Sequence, residues 1–132
     1  MGKSLIQTVN QTTQSVDVEG IISLGSVLRR FGSNCRLSGN AIEVVGQGYY
    51  TVDLDVTVVP TEAGTVTVAL YNNNVQIPSA IASGTGEATS PITLSITTTI
   101  RQMCCDSADS LTVVLLEGAG NVTNISVRVE KV

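Results

Sequence analysis

The chain has no histidine and no tryptophan, a single phenylalanine, and charge on only 14% of its residues. Without an imidazole, every mechanism that needs one as general base, proton shuttle or metal ligand is closed, and most hydrolase chemistry closes with it. Neither Lys3 nor Lys131 has an evident serine partner for a Ser–Lys mechanism, so no enzymatic activity is expected. No apolar run approaches the ~20 residues that span a bilayer, so no membrane partner is expected. The start, Met1 to Gln7, lacks the apolar core of a signal peptide, which predicts a chain that stays where it is made. Seven Lys and Arg stand against eleven Asp and Glu, a net charge of −4. They form no basic stripe able to neutralise a row of phosphates, which argues against a nucleic-acid partner.

What the chain has in quantity is β-branched side chains. Nineteen Val, 16 Thr and 10 Ile make up 45 of 132 residues. Such residues are stiff at χ1 and suit a pleated, half-buried surface better than a helix. At 42% hydrophobic residues the chain has enough apolar side chains to fold, and its length allows about one domain. The expected class is all-β.

From Gly20 onward, strands follow one another between Gly, Asn and Pro punctuation, the pattern of a sandwich or barrel. Expected strands are Ile21 to Arg29, Ala41 to Val45, Tyr49 to Val59, Thr65 to Tyr71, Val75 to Ile77, Ile92 to Arg101, Leu111 to Glu117 and Val122 to Val132. Gly84-Thr85-Gly86 lacks the Lys and helix of a phosphate loop and reads as an ordinary loop. Residues 1–19 differ: Gln7 to Ser15 is Gln, Asn, Thr and Ser with one Val. Such a stretch can bury little, so 1–19 reads as an N-terminal arm and 20–132 as the domain. Ordinary pairing with the edge of the sandwich is the alternative for the arm.

Alternation within strands assigns faces. Tyr50, Val52, Leu54, Val56 and Val58 share one side of a strand, and Thr51, Asp53, Asp55 and Thr57 the other, so one face meets a core and one meets water. Leu111, Val113 and Leu115 share a face, yet Val114 and Leu116 make the opposite face apolar too. Val66, Val68 and Leu70 likewise back onto Thr67, Ala69 and Tyr71. In a sandwich only one face of a sheet meets the core, so two-faced strands predict burial against another copy, with Ala69, Tyr71, Val114 and Leu116 at the interface.

Gly48-Tyr49-Tyr50-Thr51-Val52 and the strand that continues it resemble the Gly-x-Tyr-x-Val strand of tumour necrosis factor-like jelly rolls, the fold shared by complement globular heads. Val66 to Pro78 is similar to the family's next strand, its Asn-rich turn and the strand after it. Ser110 to Leu115 and Asn121 to Val129 resemble its last two strands. The resemblance covers about residues 20–132, and bacterial and phage members are the most similar: phage head-fibre or decoration proteins and exosporium tip domains. It implies a jelly-roll β-sandwich of about ten antiparallel strands that assembles as a homotrimer. Cys104-Cys105-Asp106-Ser107 replaces the family's Ala-Gly-Asp turn, and residues 1–19 carry no collagen-like Gly-x-y repeat.

Individual candidate sites have ordinary explanations. Asp53 and Asp55 could share a cation but suit a solvated strand face. Asp106 and Asp109 supply two carboxylates, far short of the ~6–8 oxygens of a calcium site. No metal or other cofactor is expected. Cys104 and Cys105 are adjacent, so on a strand they point to opposite faces, and one could pair with Cys35. An odd count without a secretory signal favours reduced core thiols, with a three-thiolate site on a threefold axis as the alternative.

Together these readings predict a non-enzymatic virion structural protein, a trimeric knob on a phage head or fibre, assembled in the bacterial cytoplasm. Its partners are other copies of itself, a capsid or other virion protein held through residues 1–19, and a host-surface ligand. The alternative is a bacterial surface or adhesion module binding a protein or glycan through its loops.

Overall fold

A computed structural model describes residues 3–103 and 109–132. Two antiparallel sheets face one another. The first runs β10 (Ile92–Gln102), β7 (Gly48–Pro60), β12 (Gly120–Lys131), β1 (Leu5–Asn10) and β4 (Ser26–Phe31), with β2 (Gln14–Val16) also on β12. The second runs β5 (Cys35–Ser38), β6 (Ala41–Val44), β11 (Asp109–Glu117), β8 (Gly64–Asn72) and β9 (Val75–Gly86), with β3 (Gly20–Ile21) on β11. The connections from β7 to β8, β9 to β10 and β11 to β12 each pass from one sheet to the other, the winding of a jelly roll.

Side-chain alternation builds the core as expected. Tyr50, Val52, Leu54, Val56 and Val58 are all buried, together with Val66, Val68 and Leu70, with Leu111, Val113 and Leu115, and with Ile125, Val127 and Val129. The outward rows are filled by hydroxyls that pair across strands: Thr57 with Thr93 at 3.2 Å, Thr67 with Ser83 at 2.8 Å, Thr65 with Thr85 at 3.2 Å. Such pairs contribute ~0.2–1 kcal/mol each, against ~1.5–3 kcal/mol for burying one Val, Leu or Ile side chain, so the core decides stability.

The expectation of an N-terminal arm outside the domain does not hold for the strand-forming residues. β1 lies between β12 and β4, with Ile6 opposite both Val129 and Arg30. Ile6 and Thr8 are fully buried, and Val16 of β2 joins the same core. Nor is β1 an edge strand. Its polar composition misled because a central strand satisfies its backbone on both sides whatever its side chains, and here only alternate positions must face the core.

Two more strands depart from expectation. The segment expected as one strand from Ile21 to Arg29 is broken at Gly25, which has φ +79° and where a Cβ would collide with the Val9 carbonyl. The chain therefore leaves β3 and joins the other sheet as β4. Gly84 and Gly86, expected in a loop, lie in β9. A Cβ on either would stand 2.8 or 2.9 Å from Ile92, so glycine here permits β9 to close against β10.

Candidate functional site

The structure brings the four expected interface residues onto the outward face of the second sheet. In register, Ile81 of β9 stands opposite Ala69 of β8, Ala69 opposite Val114 of β11, and Val114 opposite Ile21 of β3. This is a continuous apolar row across four strands. Ala69 and Val114, at its centre, are already buried within the single chain, while Ile21 and Ile81 at its ends are about half exposed. Tyr71 lies opposite Thr112, and Leu116 is the extra residue of a bulge between Leu115 and Glu117. Tyr71, Val114 and Leu116, with Ile21, Glu19, Asn74 and Thr112, line a shallow depression of about 240 Å³. Sequence alternation missed Ile21 and Ile81, because β3 is only two residues long and Ile81 lies beyond the expected strand Val75 to Ile77. The outward face of the first sheet is different: Thr51, Asp53, Asp55 and Thr57 lie opposite Thr99, Thr97, Ser95 and Thr93.

Asp53 and Asp55 do not converge on one point. The Ser95 hydroxyl donates to Asp55 at 2.5 Å, and Asp53 lies 3.9 Å from the Arg128 guanidinium. Among the described residues no group of three potential metal ligands comes together. Asp109 is buried at the start of β11, opposite Val44; Asp106, Cys104 and Cys105 lie outside the described residues. Cys35 is a buried free thiol on β5. Burial pushes its pKa up from 9.0 to about 11, although the charges of Arg30 and Lys131 pull the other way. A thiol held neutral in this manner is a core side chain rather than a nucleophile. Beside it, the fully buried Tyr50 donates its hydroxyl to the carbonyls of Val45 and Gly46, at 2.9 and 2.8 Å.

Charge is distributed along the strands. Lys3, Arg29, Arg30, Arg36, Arg101, Arg128 and Lys131, all the cations of the chain, lie in the half of the sandwich where β1 and β7 begin. Asp17, Glu19, Glu62, Glu87 and Glu117 occupy the other end, around the turns that join β7 to β8, β9 to β10 and β11 to β12. Glu43, Asp53, Asp109 and Glu130 stand among the cations, and three of them pair with Arg36 or Arg128, so charge is mixed at that end. Among the described residues no helix is long and apolar enough to cross a membrane.

Two antiparallel sheets wound in this order define a tumour necrosis factor-like jelly-roll fold. Solved structures agree. Murine APRIL has TM-score 0.77 and 14% identity over 99% of this chain and 100% of that one. The globular domain of zebrafish complement 1qA has TM-score 0.71 and 7% identity over 94% of each. The phage PRD1 vertex protein P5 has TM-score 0.66 and 10% identity over 98% of this chain and 96% of that one. No protein-family model and no curated protein matches the sequence.

Proposed function

We propose that this chain is a non-enzymatic structural protein of a phage particle, a homotrimeric jelly-roll knob displayed on the head or on a fibre. The observation that carries this reading is the likeness to the PRD1 vertex protein along nearly the full length of both chains. The threefold assembly implied by the family resemblance supports the trimer. So does the apolar strip of exposed Ile21 and Ile81 with the partly buried Tyr71 and Leu116, which we place at the contact between copies.

Antibody against the purified protein, followed by immunogold microscopy of purified particles, tests the role. Gold on heads or fibres is the expected result. Gold confined to bacterial envelopes, with bare particles, would replace the virion reading with that of a bacterial surface module.

A further inference from the structure

Among the described residues β4 is an open edge of the first sheet: it pairs with β1 on one side and with no strand on the other. All six of its residues, Ser-Val-Leu-Arg-Arg-Phe, are exposed, with Val27 at 42%, Leu28 at 53% and Phe31 at 52%. An exposed apolar edge is a template for another strand, and proteins usually blunt such edges with proline, bulges or charge. β4 has no proline and no internal glycine. Glycines instead fix its two ends against β1: Gly25 before it and Gly32 after it have φ +79° and +80°, and a Cβ on either would strike β1 or the residues leading into it. The edge is thus held against β1 at both ends, with one bulge between them at Leu28, the residue that the step from Gln7–Arg29 to Thr8–Val27 leaves without a partner.

The register gives each face of β4 one cation, with Leu28 the extra residue of the bulge between Val27 and Arg29. Arg29 and Phe31 share the side of Gln7 and Leu5, while Val27 and Arg30 share the side of Thr8 and Ile6. The ion pairs among the described residues use Arg36 and Arg128, not Arg29 or Arg30. Arg30 spends only its Nε, on the Cys35 carbonyl at 2.8 Å, and keeps its two terminal amino groups for another acceptor.

A second copy of the chain does not fit this edge. Antiparallel pairing of β4 with itself would gather four guanidinium groups on neighbouring positions, where like charges repel. Among the described residues the other strands paired on one side only, β2, β3, β5, β9 and β10, contain no Asp or Glu to offer instead. We propose that β4 captures an extended, carboxylate-bearing segment of a different protein by strand addition. Continuing the antiparallel order of the sheet, the segment places an apolar residue opposite Phe31, acidic residues opposite Arg30 and Arg29, and an apolar residue opposite Val27. Its pattern is apolar, acidic, acidic, any, apolar. Main-chain hydrogen bonds supply the affinity and the paired carboxylates supply the register. The inference does not depend on the virion reading, because any protein carrying such a segment is a partner.

Fluorescence anisotropy of the full chain with a labelled peptide Thr-Val-Glu-Glu-Thr-Val-Thr tests it. The controls are a peptide with Lys-Lys in place of Glu-Glu, a fully N-methylated acidic peptide, and an Arg29→Glu, Arg30→Glu variant whose fold is checked by its melting curve. Expected is saturable binding of the acidic peptide, at least about tenfold tighter than the lysine peptide, lost on N-methylation and reversed in charge preference by the variant. Failure of both peptides to bind, equal binding of the two, or binding that survives N-methylation would overturn the proposal and leave the arginines as guards against edge pairing.

Discussion

Val114 stands directly opposite Ala69 on the outward face of the second sheet, and both are buried within one chain, flanked by Ile21 and Ile81. A strand that is apolar on both faces therefore does not by itself require a second subunit, because one row of neighbours can cover its own centre. The surface left for another copy is the rim of that row, together with Tyr71 and Leu116.

Substitution at that rim tests where the copies meet. Tyr71→Glu with Leu116→Glu should weaken self-association by more than about a hundredfold, since desolvated carboxylates would crowd one axis, while melting of the isolated chain changes little. Sedimentation velocity reads the change. If the double variant associates normally and Thr51→Arg with Thr97→Arg does not, the copies meet through the polar face of the first sheet instead.

Ile6 probes the first strand. Truncation to alanine removes a fully buried side chain from the middle of the sheet and should cost ~2–5 kcal/mol, which lowers the melting temperature by roughly 10 °C or more. Deleting residues 1–19 should abolish folding, as read by circular dichroism. A truncated chain that melts like the full one would return the segment to the role of a separate arm.

Thr8 carries the opposite expectation. Its side chain is fully buried and its hydroxyl oxygen has no hydrogen-bond partner among the described residues. Thr8→Val keeps the shape and the β-branch while removing that group, and should stabilise the protein by about 1 kcal/mol in denaturant titration. A loss of stability would mean that the hydroxyl is satisfied in solution.

These two residues also show what could be read in advance. In β7 each buried side chain is apolar and most of the outward ones are polar, so the strand and its faces were legible. In β1 the inward positions are Ile6 and Thr8, and the apolar Leu5 and Val9 point outward beside β4. Composition there reported the wrong face, and only pairing on both sides reveals a core strand. Val114 and Ala69 share one face, flanked by Ile21 and Ile81; Ile21 comes from a two-residue strand far away in sequence, and Ile81 from beyond the Pro78 that reads locally as the end of a strand. β9 was cut short because Pro78, Gly84 and Gly86 are loop signals locally, and the close approach of Ile92 that calls for glycine is a tertiary fact.

Alkali should unfold the protein before the mid-range of pH disturbs it. Burial raises the Cys35 pKa from 9.0 to about 11 and raises that of Tyr50 above 10.0 by the same cause. Below pH 9 the thiol is neutral in folded and unfolded chains alike, and its contribution is fully present. Between about 9 and about 11 the unfolded chain ionises first, so stability falls by about 2–3 kcal/mol from Cys35 alone. Cys35→Val should flatten that decline in urea titrations across this range, and an unchanged slope would show that Cys35 is not the group responsible.

The trimer is the claim on which the proposed function depends most directly. Light scattering coupled to size exclusion, at micromolar concentration of the full chain, should return a mass three times that of the 13.7 kDa polypeptide. A stable species of one polypeptide's mass across that concentration range would contradict the trimer, and with it the knob that we propose.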